Sequence, residues 1–268
     1  MTDTLERGQP RSAEFERTEL SLNGIRTVVL SAGRGDPVVF LHGGGTFTGF
    51  DWLRPLTNRF RVIVPYHPGF GESDDDFGID SMQDHVLHNL DLFDALELDR
   101  FALAGHSFGG WMAAETALVL LRRLTRLALV APSGLYAPDV PATDLATLPA
   151  SQVMAHLTAR PERITPLLKQ NPDLDDLTLR YRERTAVARV TWEHPSNHKL
   201  GRWLHRIKAP TLISWGEADR IRAPQFAALW ADAIPDARVR LYPGAGHLLL
   251  EEEDRAVADL GDFLAGRI

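Results

Sequence analysis

The chain has 268 residues, 44% of them hydrophobic and 24% charged, which is enough for one large domain with a buried core. Its formal net charge is -7 at pH 7 and its lysines and arginines are scattered, so the sequence has no basic patch for nucleic acid. It contains no cysteine, which excludes disulfides, cysteine-ligated zinc and a cysteine nucleophile.

Residues 1–14 lack the apolar run of a secretory signal, and no segment of the chain approaches membrane-spanning length. We therefore expect a mobile tail over residues 1–14 and a cytoplasmic protein without membrane association. We also expect a small-molecule partner and no nucleic acid, and the sequence leaves a homodimer open.

Strand-like apolar runs then alternate with helical patterns, which is typical of a mostly parallel sheet covered by helices on both faces. Residues 15–22 and 25–30 flank Asn23-Gly24, a strong hairpin signal. An amphipathic helix is predicted over residues 81–96, with Asp80 or Ser81 as its cap. The other predicted strands cover residues 38–41, 61–64, 100–104, 126–130, 210–215 and 238–242, and a last helix covers 254–264.

The alternation breaks between about residues 134 and 205, where prolines separate helical fragments and no buried strand is evident. Such an insertion within an α/β pattern predicts a helical cap, or lid, over residues 134–205. The core domain would then consist of residues 15–133 and 206–268.

Residues 105–109, Gly-His-Ser-Phe-Gly, lie between a predicted buried strand and an alanine-rich helical pattern. This context predicts a nucleophile elbow, a sharp strand-to-helix turn that exposes the hydroxyl of Ser107. The flanking glycines would avoid collisions in the strained turn. The same pattern also occurs as an ordinary flexible turn, so the interpretation depends on its surroundings.

Other motifs follow predicted strands in a fixed order. They are His42-Gly43-Gly44-Gly45, the segment 68–74 with sequence Pro-Gly-Phe-Gly-Glu-Ser-Asp, Gly216-Glu217-Ala218-Asp219 and Gly246-His247. With these motifs and the elbow, residues 15–266 resemble the α/β-hydrolase superfamily. The resemblance is to its capped subgroup of esterases, lactonases, carbon–carbon hydrolases and cofactor-free haloperoxidase-like enzymes. It implies an eight-stranded, mostly parallel sheet with helices on both faces, and a hydrolase that needs no cofactor or metal.

A serine nucleophile needs a base and a carboxylate that orients the base, and this fold places them in the order serine, acid, histidine. We expect Asp219 to be the acid because it follows a predicted strand at the edge where α/β sheets place their sites. Glu217 in the same loop is its main competitor for the role of the acid. The alternative for Asp219 is a structural role, as a surface aspartate that caps the next turn. His247 follows the last strand and is expected to be the base.

The remaining histidines have other expected roles. His106 should pack rather than react, because it faces away from the hydroxyl of the adjacent serine. His85 and His88 share a helix face, for which a solvated face is favoured over metal ligands. His42 is expected to brace the glycine loop.

An oxyanion hole needs preorganised backbone donors. Phe108, directly after the nucleophile, should supply one N–H group. The resemblance points to Gly44 for the second, with Gly45 as the adjacent alternative.

The chain departs from the family before the Pro68-Gly69 turn. Many relatives carry an aspartate there, whereas this chain has Tyr66-His67, so we expect a different contact in that loop. The acidic run that follows, Glu72, Asp74, Asp75 and Asp76, is expected to be solvated rather than a metal site.

Substrate choice should reside in the cap, where Tyr136 and Trp192 are the expected substrate-binding residues, although cap-core packing is an equal alternative. The other candidates are Met154, Leu157, Tyr181 and Trp203. We expect hydrolysis of a small to medium ester or lactone. Carbon–carbon hydrolysis of a diketone-like substrate stays open, disfavoured by Leu248 where ring-fission hydrolases often carry tryptophan. A hydrolase-fold ligand receptor with little turnover is a further alternative.

Overall fold

The computed structural model of the protein describes residues 15–120 and 122–268, so the predicted N-terminal tail lies outside the described residues. The strands, in chain order, are β1 (Glu16–Leu22), β2 (Ile25–Ala32), β3 (Asp36–Leu41), β4 (Phe60–Pro65), β5 (Phe101–His106), β6 (Leu124–Val130), β7 (Gly134–Leu135), β8 (Ser196–Asn197), β9 (Thr211–Gly216) and β10 (Ala237–Tyr242). The helices are α1 (Arg54–Thr57), α2 (Met82–Ala95), α3 (Ser107–Val119), α4 (Ala150–Leu157), α5 (Pro161–Ile164), α6 (Leu174–Thr191), α7 (Leu200–Trp203), α8 (Phe226–Ala233), α9 (Leu249–Glu252) and α10 (Asp254–Leu264).

Eight strands form one sheet in the order β1-β2-β4-β3-β5-β6-β9-β10, and β7 pairs with β8 alone. β1 runs antiparallel to β2, and β2 antiparallel to β4, whereas the other pairs of the large sheet are parallel. The predicted mostly parallel sheet is confirmed.

The first hairpin forms where the sequence predicts it. Asn23 and Gly24 have φ angles of 50° and 86°, both in the left-handed region. A two-residue turn of this kind matches the twist of the strands that it joins, and Leu22 pairs with Ile25 across it.

Helices cover both faces of the sheet because β5 is apolar on both sides. Leu103 packs into a cluster with Phe93 of α2 and Met112 of α3. Its neighbour Ala104 points to the opposite face, into a cluster with Phe263 of α10. Successive strand side chains alternate between the faces, so a central strand needs apolar residues throughout.

Residues 134–205, the segment predicted to form a cap and called the cap below, follow β6 and precede β9, and these two strands are neighbours in the sheet. The longest cap helix, α6, begins with a capping box in which the side chains of Asp173 and Asp176 each accept a backbone hydrogen bond. Its inner face buries Glu183, Ala186 and Val190.

No helix in the described residues is both long and apolar enough to cross a membrane.

Candidate active site

Ser107 stands at the junction of β5 and α3 with a φ angle of 53°, a strained value for a residue with a side chain. Neighbouring backbone leaves no room beside it. A methyl group on Gly105 would lie 2.3 Å from the carbonyl oxygen of Gly109, and one on Gly109 would lie 2.2 Å from that of Leu41. The two glycines therefore permit the sharp turn that the motif predicts.

The structure brings together the three side chains expected to form a triad. The Ser107 hydroxyl lies 2.8 Å from Nε2 of His247, and Nδ1 of His247 lies 2.8 Å from Oδ2 of Asp219. Asp219 follows β9 and His247 follows β10, so adjacent parallel strands deliver both groups to the same edge of the sheet. Both residues are buried.

The carboxylate of Asp219 is held in one orientation. Its Oδ1 accepts hydrogen bonds of 2.8 Å and 2.9 Å from the backbone N–H groups of Ile221 and Arg222. Oδ2 is thereby left for His247. Glu217, the competing acid, is exposed.

This arrangement determines the tautomer of His247. Nδ1 donates to the carboxylate, which leaves Nε2 with a lone pair that accepts the Ser107 proton. His106 supports the loop from behind, because its Nε2 donates to the backbone carbonyl of His247. Burial lowers the pKa of His106 to about 3, so its ring is neutral. Packing alone was expected of His106, and the sequence gives no signal for this hydrogen bond.

The glycine loop lies against the nucleophile. A methyl group on Gly43 would lie 3.5 Å from Cβ of Ser107, whereas one on Gly44 would meet Val187 of the cap at 3.1 Å. Phe108 is the second residue of α3, so its N–H has no partner one turn earlier in the helix. Among the hydrogen bonds of the described residues, none uses the N–H of Gly44 or Phe108.

Two histidines, His42 and His67, brace this loop. His42 Nδ1 donates to the Gly43 carbonyl at 2.8 Å, and its Nε2 accepts from the N–H of His67 at 3.3 Å. His67 Nε2 in turn donates to the His42 carbonyl at 3.1 Å. Burial lowers the pKa of His42 to about 4 and also lowers the pKa of His67, so a neutral pair braces the loop.

A buried carboxylate from the cap also reaches the loop. Glu183 accepts hydrogen bonds from the N–H and hydroxyl of Thr46 and from the N–H of Gly71. The sequence carries a signal that we did not use. Glu183 shares the spacing of Ala186, Val187 and Val190, the apolar face of α6, where an unpaired charge would be costly.

An apolar cluster adjoins the triad. Its buried members include Leu248, next to the base, and Ile221, two residues past the acid, and these pack with Leu157 of the cap. Phe47 of the glycine loop and Met154 of the cap pack against them. Leu157 and Met154 belong to the expected cap residues.

The two aromatic residues expected to bind substrate lie elsewhere. Trp192 is 80% exposed, and Tyr136 is 47% exposed and stacks on His198 with ring centroids 3.7 Å apart. The structure brings neither into the triad or the apolar cluster around it. Tyr136 follows β7 and Trp192 follows α6, and the proline-broken sequence pattern does not reveal which side of these segments faces outward.

The expected solvated face for His85 and His88 is wrong, since both are buried. His88 Nε2 lies 3.1 Å from the Thr27 hydroxyl, and His85 packs edge-on against Phe108. The described residues contain no cluster of three or more histidines or carboxylates suited to a metal ion.

The acidic run is not simply solvated either. Its members pair with arginines: Glu72 with Arg17, Asp74 with Arg26, and Asp75 with Arg189 of the cap. Asp76 instead accepts a hydrogen bond from the N–H of Gly78.

Comparison with known proteins finds relatives that match most of the chain. The chain is 30% identical to 2-hydroxy-6-oxo-6-phenylhexa-2,4-dienoate hydrolase of Burkholderia cepacia, over 92% of this chain and 94% of that protein. It is 26% identical to cis-3-alkyl-4-alkyloxetan-2-one decarboxylase of Shewanella oneidensis, over 93% of this chain and 88% of that one.

Solved structures share the fold. A meta-cleavage product hydrolase of Pseudomonas fluorescens IP01 superposes with a TM-score of 0.76 at 21% identity, covering 95% of this chain and 99% of its own. Naproxen esterase of Bacillus subtilis gives a TM-score of 0.72 at 19% identity, covering 92% and 90%. The sequence model of the alpha/beta hydrolase family matches residues 38–260, more than half of the chain. The protein is therefore a member of the alpha/beta hydrolase family of enzymes.

Proposed function

We propose that the protein is a serine hydrolase that cleaves a small to medium, largely uncharged carboxylic ester or lactone. The observation that carries the proposal is the pair of 2.8 Å contacts that join Ser107 to His247 and His247 to Asp219. A hydroxyl, an imidazole of fixed tautomer and a buried carboxylate in this order are the parts that acyl transfer requires.

In the proposed reaction, Ser107 Oγ attacks the substrate carbonyl while His247 Nε2 takes its proton. The N–H groups of Phe108 and Gly44 donate to the oxyanion that forms. The ester C–O bond then breaks, and His247 returns the proton to the leaving alkoxide, which leaves an acyl group on Ser107. A water molecule deprotonated by His247 releases the acid by the same steps.

The surroundings of the triad support an apolar substrate. Leu248, Ile221 and Phe47 belong to one apolar cluster next to the base, the acid and the glycine loop. Apolar walls with a few placed polar groups are typical of sites for largely uncharged small molecules.

Carbon–carbon hydrolysis of a diketone-like substrate is the second candidate, favoured by the name of the Burkholderia cepacia relative. The same nucleophile would attack a ketone carbonyl. The group that leaves would be a carbon that must take up a proton, whereas the group that leaves an ester is an alkoxide. Ring-fission carbon–carbon hydrolases often carry tryptophan directly after the catalytic histidine. This chain has Leu248 there, which favours the ester or lactone.

The first experiment is labelling with a fluorophosphonate, followed by mass spectrometry of the adduct. We expect one adduct, on Ser107, and none in Ser107→Ala. Folded wild-type protein that stays unlabelled, or that is labelled at another serine, would contradict the proposed nucleophile. Comparing kcat/KM over esters, lactones and diketones then decides between the candidates, and a larger value for diketones would favour the second.

A further inference from the structure

Glu183 of α6 is only 2% exposed, yet the hydrogen bonds described for its carboxylate all come from the core. The N–H of Thr46 donates to Oε2 at 3.1 Å, and the Thr46 hydroxyl donates to Oε1 at 2.5 Å. The N–H of Gly71 also donates to Oε1, at 3.1 Å. One cap side chain therefore links two core loops.

The same face of α6 covers the loop that carries the proposed oxyanion donor. Val187 lies one turn after Glu183, and a methyl group on Gly44 would come within 3.1 Å of its Cγ2. Ala186 would lie 2.8 Å from a methyl group on Gly69. The helix thus packs directly on the backbone at both positions.

Because the carboxylate of Glu183 is buried, this packing of α6 depends on the donors that replace its hydration. Removing an ionised carboxylate from water costs several kcal/mol unless hydrogen bonds replace its hydration. The replacing donors belong to Thr46 and Gly71, so they are available only while α6 is docked and both loops hold their present conformation. Docking of the cap and the conformation of the glycine loop therefore stabilise each other.

We propose that Glu183 is a positioning residue for the hydrolysis, holding Thr46 and through it the N–H of Gly44 where the oxyanion forms. The proposal rests on the proposed function. The Glu183 carboxylate is bonded to Thr46, two residues after Gly44, so its negative charge opposes an oxyanion there by Coulomb repulsion. An effect of charge alone would therefore make Glu183→Gln faster than wild type, whereas loss of positioning makes it slower.

The test compares Glu183→Gln and Glu183→Ala with Asp75→Asn. Asp75 pairs with Arg189, so the control weakens another contact between α6 and the core without touching residues 43–46. With a p-nitrophenyl ester, we expect Glu183→Ala to lower kcat about tenfold or more while KM stays within about threefold. Glu183→Gln, which keeps one acceptor oxygen, should fall between, and Asp75→Asn should stay near wild type.

A kcat for Glu183→Ala equal to that of Asp75→Asn, a rise in kcat for Glu183→Gln, or a change in KM alone would overturn the proposal. Hydrogen exchange of residues 43–49 supplies a readout that needs no turnover. Exchange should be faster in both Glu183 variants than in Asp75→Asn, and unchanged exchange overturns the proposal. A wild-type protein without Ser107-dependent turnover would refute the proposed function, while the exchange result still decides whether Glu183 holds the loop.

Discussion

Nε2 of His106 lies 2.8 Å from the backbone carbonyl oxygen of His247, so the residue before the nucleophile supports the residue that carries the base. Ser107 and His106 are consecutive residues of the same turn, and both side chains bond to His247. One side chain contacts the imidazole of His247 and the other its main chain. The separation between nucleophile and base is thereby fixed from two directions.

His106→Leu should weaken both the site and the fold. The His247 carbonyl would lose its donor inside the protein, at a cost of about 1–3 kcal/mol in the free energy of unfolding. We expect ester turnover to fall about tenfold as the base loses its support. Urea unfolding and steady-state kinetics measure the two effects. His205→Leu, at an exposed position, is the control and should change neither.

Asp219→Asn should abolish most activity without loss of structure. The amide oxygen can still accept from Ile221 and Arg222, but its NH2 group would then face Nδ1 of His247 and favour the wrong tautomer. A loss of about 10⁴-fold in kcat is expected, as for the same change in other triads. Glu217→Gln, in the same loop but exposed, should keep wild-type kinetics. The reverse ranking of the two variants would reassign the acid.

Glu251→Gln should stabilise the protein at high pH only. Burial raises the pKa of Glu251 from 4.5 to about 7, so the folded protein binds more protons than the unfolded chain between these values. Its free energy of unfolding therefore falls as the pH rises through this range. The glutamine variant avoids that loss. Its free energy of unfolding should exceed that of wild type by up to about 3 kcal/mol at pH 8 and equal it near pH 4.

Urea unfolding across this pH range measures the effect. The Thr48 hydroxyl that donates to Glu251 at 3.2 Å keeps an acceptor in the variant, so packing is conserved. A gain of the same size at both ends of the range would show that ionisation of Glu251 is not its cause.

His85→Leu should stabilise the protein and reduce the loss of its free energy of unfolding at acidic pH. Burial lowers the pKa of His85 to about 3, and its Nδ1 makes no hydrogen bond with any described residue. The unfolded chain takes up a proton below about pH 6.5 while the folded protein does not, so stability is lost as the pH falls.

Removing the unpaired nitrogen should add about 1 kcal/mol at pH 8. The advantage of His85→Leu over wild type should grow between pH 6.5 and 5. Unfolding curves at these three pH values measure it, with His205→Leu as the surface control. A loss of stability at pH 8 would mean that the ring contact with Phe108 outweighs the unpaired atom.

Local chemistry made much of the molecule predictable. Asn23-Gly24 determines its turn through backbone angles, and Ser81 caps α2 through its own side chain, as expected. The elbow glycines act within their own turn. Because strands are predictable, the edge where Asp219 and His247 should meet was predictable as well, and the structure places both there.

What the sequence did not predict depends on distant partners. His88 is buried because Thr27, on a strand far earlier in the chain, lies beside it. Asp75 has a partner only because α6 brings Arg189 to it. The exposure of Trp192 depends on how the cap docks. Helix periodicity identifies a face, but only the docked neighbour determines whether water or protein meets it.

β6 and β9 lie side by side in the sheet, although the whole cap separates them along the chain. On the ribosome, the strand that delivers Ser107 is made before the cap, whereas Asp219 and His247 leave the exit tunnel after it. A nascent chain that ends within the cap therefore presents the edge of β6 unpaired, where another polypeptide could add a strand. Closing this long loop is slow for a contact so distant in sequence. The order of synthesis thus leaves the middle of the sheet open to association with other chains until β9 has been made.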